Sequence, residues 1–286
     1  MQFVPMNELL AKAQAGKYAV GAFNCNNMEI VQAIVAAAEA ERAPVIIQAS
    51  QGAIKYAGID YIAGLTRLAA EKATVPIALH LDHGTSFEQC MLCLRAGFSS
   101  VMIDGSKHAL EDNIALTQKV IAAARPVGLS VEGELGKIGG TEDDITVADR
   151  DAMFTDPEEA ARFWRETGVD ALAVAIGTAH GRYKGIPKLD FGRLEAIKER
   201  VEAPIVLHGS SGVPDEAIRE AISLGVAKVN IDTNIREAFT NIMRQRLMDN
   251  PEDVDVRKVL GPAREGMIEV VREKIRLFGS NNKAHL

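Results

Sequence analysis

Three short segments carry most of the chemistry this chain can offer. They read His80-Leu81-Asp82-His83-Gly84, Gly177-Thr178-Ala179-His180-Gly181 and His208-Gly209-Ser210-Ser211-Gly212. The chain has six histidines, and four of them (His80, His83, His180 and His208) fall in these segments. Three neutral imidazoles brought to one mouth would make a catalytic zinc site, with three protein ligands and an open fourth position. Taken singly, each histidine reads equally well as a hydrogen-bonded loop residue; the recurrence is what points to metal. Asp104 and Glu134 offer oxygen donors for a second or alternative metal position, or carboxylates that orient the histidines. On an extended strand His80 and Asp82 share a face, and His83 lies just beyond it.

Two further segments suggest anion binding and proton transfer. Gly209-Ser210-Ser211-Gly212 and Asn230-Ile231-Asp232-Thr233 combine small residues with hydroxyls, so backbone N–H groups can approach a phosphate. Pro214 just behind the first segment predicts a helix N-terminus nearby. Gly136-Lys137-Ile138-Gly139-Gly140-Thr141-Glu142-Asp143-Asp144 reads as a mobile glycine-rich loop carrying carboxylates, a form suited to a lid with a general base. Its bland alternative is a solvated acidic turn. Cys90 and Cys93 form a CxxC, but inside a helical stretch and without a second pair, so packing is the better reading; Cys25 reads as a small packed residue.

These residues need a scaffold, and the chain supplies one of a single kind. Eight short apolar runs recur: 18–25, 44–50, 76–82, 100–105, 130–136, 171–177, 204–209 and 228–233. Each is followed by a helical pattern: 29–42, 60–73, 87–96, 111–124, 157–167, 191–201, 214–224 and 235–248. Near-continuous apolar strands alternating with helices mean parallel strands covered on their outer face. Eight such units predict a (β/α)8 TIM barrel with extra N-terminal (6–15) and C-terminal (262–277) helices; a doubly wound open sheet is the alternative. The reading is one domain over 1–286, with 281–286 as a frayed tail. In a barrel the active site lies at the C-terminal ends of the strands, and phosphate often sits after strands seven and eight. The histidine and Gly-Ser-Ser-Gly segments stand in those places.

Composition excludes several classes. Over 286 residues, Lys plus Arg is 32 against 39 Asp plus Glu, a net charge of −7. That balance, with no basic run, argues against a nucleic-acid partner. Apolar residues at 47% and charged residues at 25% suit a folded domain. No apolar stretch is long enough to span a bilayer. Residues 1–16 contain Glu8 and Lys12 and lack a cleavage site, so they read as an amphipathic helix and not a signal peptide. With three cysteines, this predicts a cytoplasmic protein.

The combination resembles the class II, zinc-dependent fructose-bisphosphate aldolases, including the tagatose-bisphosphate aldolases. The pieces that carry the resemblance are Ala22-Phe23-Asn24, His80-Leu81-Asp82-His83, Val101-Met102-Ile103-Asp104, Val131 through Gly136, Gly139 through Asp143, Ala175 through Gly181, and Leu207 through Gly212. It covers roughly 6–277. The resemblance implies that His83, His180 and His208 hold the catalytic zinc, and that Asp104 and Glu134 form a second zinc position. It implies that Asp82 shuttles a proton on the aldehyde-derived oxygen and that Glu142 moves the carbon-bound proton. Gly181, Gly209, Ser210, Ser211, Asn230, Ile231, Asp232 and Thr233 then hold dihydroxyacetone phosphate, and Ser50 contacts the glyceraldehyde 3-phosphate half. A monovalent cation, Na+ or K+, and a homodimer or homotetramer are also implied. Thr141 stands where some relatives place an acid, which lowers the loop charge by one.

Zinc as a Lewis acid would polarise the ketone and stabilise an enediolate, the job a Schiff-base lysine does otherwise. Lys228 sits at the wrong end of its strand for that role, and Lys107 and Lys184 lie in loops without apolar burial. The expected reaction is reversible cleavage of fructose 1,6-bisphosphate to dihydroxyacetone phosphate and glyceraldehyde 3-phosphate, in glycolysis and gluconeogenesis. Tagatose 1,6-bisphosphate is the alternative substrate. A metal-dependent hydrolase on the same barrel is a more remote reading, and it leaves the phosphate segments and the acidic loop without a purpose.

Overall fold

A computed structural model describes residues 3–142, 145–147, 153–183 and 185–284. Among these, the strands are β1 Val20–Asn24, β2 Val45–Ser50, β3 Ile77–Gly84, β4 Ser100–Ile103, β5 Ser130–Leu135, β6 Gly139–Glu142, β7 Ile145–Val147, β8 Ala171–Val174, β9 Ala179–His180, β10 Ile205–Leu207 and β11 Val226–Ile231. The helices are α1 Met6–Gly16, α2 Met28–Glu41, α3 Gln51–Ala57, α4 Ile59–Lys72, α5 Phe87–Ala96, α6 Leu110–Ala124, α7 Pro157–Thr167, α8 Phe191–Lys198, α9 Asp215–Ser223, α10 Thr233–Asp249 and α11 Val256–Leu277. Eight parallel strands close in the order β1-β2-β3-β4-β5-β8-β10-β11. Closure makes this the TIM barrel and excludes the open sheet. No described helix is long and apolar enough to cross a membrane.

The barrel interior has two zones. Its lower half is apolar and filled by small residues, Ala22, Ala78, Ala171 and Ala173, with Val20, Ile46 and Val206. Helix α1 plugs that end with Met6, Leu9, Leu10 and Ala13; the N–H of Asn7 reaches Ser130 Oγ and the N–H of Val4 bonds Ile77 O, both at strand starts. Burying a Met or Leu side chain contributes about 1.5–3 kcal/mol. The upper half is polar: Gln48, His80, Asp82, Glu132, Glu134, His208 and Lys228 all point into it, each at most 2% exposed. Buried polar groups must be hydrogen-bonded, so this zone is a network.

Several expectations need correction. The glycine-rich segment after β5 is not an open loop. Its Gly139–Glu142 stretch is β6, which pairs antiparallel with β7 and parallel with β9, Gly140 lying opposite His180. The glycine serves close approach: a Cβ at Gly140 (φ 95°) would lie 2.2 Å from His180 O. The last helix starts at Val256, with Pro262 inside it. A proline there costs ~3 kcal/mol or more. The apolar stripe Val259, Ala263, Met267, Val271 and Ile275, packed toward α2 and α10, outweighs that cost. The tail expected to fray is pinned through Ala284, whose N–H bonds Arg42 O at 2.9 Å, as that of Asn282 bonds Glu41 O at 2.8 Å.

Candidate metal and phosphate site

The end of β3 aims two neighbours into the same mouth, which plain alternation would forbid. The register with β4 slips between Leu81 and Gly84, and His83 takes a left-handed φ of 48°. Such a conformation in a non-glycine residue costs on the order of 1–3 kcal/mol and persists only where its surroundings enforce it. Here the kink turns His83 inward beside Asp82. The rings of His83, His180 and His208 then meet edge-on, with centroids 5.1, 4.7 and 6.0 Å apart. One nitrogen from each lies within 4.8 Å of the others, and His83, Asp104 and Glu134 form a second such group.

Hydrogen bonds select which nitrogen the His83 and His208 rings present. His83 Nδ1 donates to Asp104 Oδ2 at 3.3 Å, leaving Nε2 toward the centre. His208 Nε2 donates to Glu132 Oε1 at 2.9 Å, leaving Nδ1. Those two remaining nitrogens face each other at 3.0 Å. Two lone pairs at that distance repel unless a proton or a metal cation lies between them. Glu134 Oε2 adds a buried acceptor without a hydrogen-bond donor among the described residues, 3.7 Å from His208 Nδ1. The donor set therefore fits a divalent metal with imidazole and carboxylate ligands.

The electrostatics separate the acids. Burial, then the neighbouring Asp104 charge, push Glu134 well above the usual carboxylate range. Burial also raises Glu132, but the Lys228 ammonium and the His208 hydrogen bond outweigh it and hold Glu132 well below that range. Asp104 is likewise held low: its burial is overcome by His83 and Ser106. Burial lowers His80 well below its ordinary value, and burial lowers His208 too, against the pull of Glu132. For His208, one of the three clustered histidines, that direction favours the neutral form a metal would need.

Glu132 is the main residue that sequence reasoning passed over; such reasoning weighs Lys228 only as a Schiff-base lysine and does not foresee its pairing with Glu132. Lys228 is fully buried inside the barrel, its Nζ 2.8 Å from Glu132 Oε2. Its ammonium is the positive charge paired with Glu132 beside the candidate metal site. The available signal was a lysine and a second glutamate on the inward face of otherwise apolar strands. Glu132→Gln, which keeps shape and loses charge, is expected to weaken divalent-metal affinity about 10–100-fold. Competition against a chromophoric chelator measures this; unchanged affinity would exclude the orienting role.

Asp82 is completely buried and held by three amides. Asn24 Nδ2 and Gln48 Nε2 donate to Oδ2 at 2.9 and 3.1 Å, and Asn230 Nδ2 donates to Oδ1 at 3.2 Å. Ser50 lies opposite Asp82 in the β2–β3 register and caps α3 by accepting from the Ala53 N–H. A narrow cleft brings His180, Gly181, Gly209, Ser210, Ser211, Asn230, Asp232 and Thr233 together. Thr233 opens α10, so that helix directs its first N–H groups at the cleft. Ile231 is the exception: its side chain is buried in the core between strand and helices. Glu142 has its backbone on β6, but its side chain lies outside the described residues, as do Asp143, Asp144 and Lys184. Cys90 and Cys93 are buried on α5, and burial pushes their thiols up to about 12.

The chain matches a family model described as fructose-bisphosphate aldolase class-II over residues 4–283. It is 48% identical to the fructose-bisphosphate aldolase of Thermus caldophilus, with 97% of this chain and 98% of that relative covered. A sulfofructosephosphate aldolase of Alkalicoccus urumqiensis is 46% identical, with 99% of each covered. Among solved structures, the YdjI aldolase from Escherichia coli K12 matches with a TM-score of 0.86 at 34% identity, covering 99% of this chain and 100% of that one.

Proposed function

This chain belongs to the class II fructose-bisphosphate aldolase family, and we propose that it is a zinc-dependent fructose-1,6-bisphosphate aldolase working in the cytoplasm as a homodimer or homotetramer. It is a lyase of a metal-dependent family that acts on phosphorylated sugars. The observation that carries the fuller reading is the adjacency of the three-histidine cluster to a buried, amide-held Asp82, with the small-residue cleft beginning at His180.

In this reading His83, His180 and His208 hold the catalytic zinc, and Asp104 and Glu134 serve a second position. Bound there, the metal supplies Lewis acidity toward the substrate ketone. The cleft holds the phosphate of the dihydroxyacetone phosphate half through backbone N–H groups, Ser211 and the start of α10, with Na+ or K+ beside it. Asp82 takes the proton of the C4 hydroxyl; the O–H electrons become the new C4=O bond as C3–C4 breaks. Glu142 then delivers a proton to C3. Asn24, Gln48 and Asn230 keep the Asp82 carboxylate pointed at that oxygen throughout.

The test is a cleavage assay on fructose 1,6-bisphosphate, tagatose 1,6-bisphosphate and sulfofructose phosphate, each with and without chelator. The reading expects the fructose bisphosphate to be preferred; preference for either other substrate would replace it within the same family. Ser211→Ala should weaken dihydroxyacetone phosphate binding roughly tenfold, the scale of one hydrogen bond to a charged group, with zinc affinity retained. Calorimetric titration separates the two. Unchanged binding would move the phosphate elsewhere.

A further inference from the structure

Tyr183 lies between the two halves of the site and is itself neither a candidate metal ligand nor part of the cleft. Its hydroxyl accepts the Ala179 N–H at 2.7 Å and donates to Gly209 O at 2.7 Å. Ala179 precedes His180 on β9, and Gly209 opens the Gly209–Gly212 turn. One hydroxyl thus uses its donor and an acceptor site on two backbones, strand β9 and the turn after β10. Its ring packs against the hydrophobic core and lies under the same turn: a Cβ at Gly212 would come within 3.2 Å of Tyr183 Cδ2. The two segments also touch directly. Gly209 has φ 62°, and a Cβ there would lie 2.6 Å from Ala179 O. With no side chain to wedge them apart, the two backbones meet, and the hydroxyl bridges them at that point.

We propose that Tyr183 is a positioning residue that couples His180 to the phosphate-binding turn, so that metal and phosphate strengthen each other's binding through it. This rests on the functional reading above, in which His180 holds zinc and the turn holds phosphate. Coupling between two sites is reciprocal: whatever factor the phosphorylated ligand adds to zinc affinity, zinc adds to that ligand's affinity. Tyr183→Phe keeps the ring and its packing and removes only the two hydrogen bonds.

The experiment measures zinc affinity by chelator competition, with and without saturating dihydroxyacetone phosphate, in the unaltered protein and in Tyr183→Phe. The unaltered protein should bind zinc more tightly with the ligand present. In Tyr183→Phe zinc and ligand affinities should each fall roughly fivefold, about one neutral hydrogen bond apiece, and the mutual enhancement should shrink. A purely structural tyrosine would lower Tm and leave the enhancement factor intact; that result overturns the proposal while leaving the aldolase reading in place. If the unaltered protein shows no zinc binding, or no response of zinc affinity to the ligand, the underlying site reading or the coupling fails before the variant is considered.

Discussion

Asp82→Ala protein should keep its fold and its zinc, cleave fructose 1,6-bisphosphate 10²–10⁴-fold more slowly, the usual contribution of a general acid–base group, and still exchange a C–H proton of dihydroxyacetone phosphate with solvent. The split follows from position. Asp82 is fixed at the end of a barrel strand by Asn24, Gln48 and Asn230, so it serves one oxygen. Glu142 stands on β6 and belongs, in the proposed reading, to the carbon. Glu142→Ala should therefore lose the exchange as well. Removing the Asp82 carboxylate strands three buried amides, which costs about 1–3 kcal/mol per unsatisfied group. Asp82→Asn preserves the volume and is the control should the alanine variant fold poorly. Cleavage kinetics and proton exchange followed by NMR report the two steps separately. Wild-type exchange in Glu142→Ala would remove that residue from the mechanism, and loss of exchange in both Asp82 variants would merge the two roles.

Stripping the protein with a chelator should abolish cleavage entirely, and zinc should restore it. The expectation rests on His83 Nε2 and His208 Nδ1 facing each other at 3.0 Å, with the orphaned Glu134 oxygen beside them. Because the metal binds the folded chain, removal should also lower stability. Saturation at a hundredfold over Kd is worth about 2.7 kcal/mol, or roughly 4–5 °C in Tm for a chain of this size. Elemental analysis must accompany the assay; full cleavage by verified metal-free protein would overturn the metal reading. Borohydride added with substrate should leave no adduct. The strongest nucleophile candidate by burial, Lys228, is tied to Glu132 at 2.8 Å. An adduct on Lys228 would turn the chemistry to a Schiff base.

The amino-acid sequence alone determined what local physics controls. Apolar runs and capping residues are read within a few positions, so the eight strand–helix units and helices such as Phe87–Ala96 and Pro157–Thr167 were legible to the residue. The histidine segments were legible because each is contiguous and lies at or shortly after the end of a barrel strand. Where local signals compete, reading fails. The glycines at 139–140 look like a flexible loop, yet they let β6 lie against β9; Pro262 looks like a helix start, yet a long apolar stripe carries α11 through it. The tertiary structure alone decided which nitrogen His83 and His208 present, because those choices rest on partners on or just after other strands. Glu132 lies 76 positions from His208 and 96 from Lys228, and Asp82 lies 148 from Asn230. The left-handed turn at His83 likewise comes from the barrel register, not from its neighbours in sequence. Tyr183 reads as an ordinary loop aromatic until closure brings Gly209 beside Ala179. Periodicity specifies which face of a strand is buried, but only closure of the barrel specifies which residues share that interior.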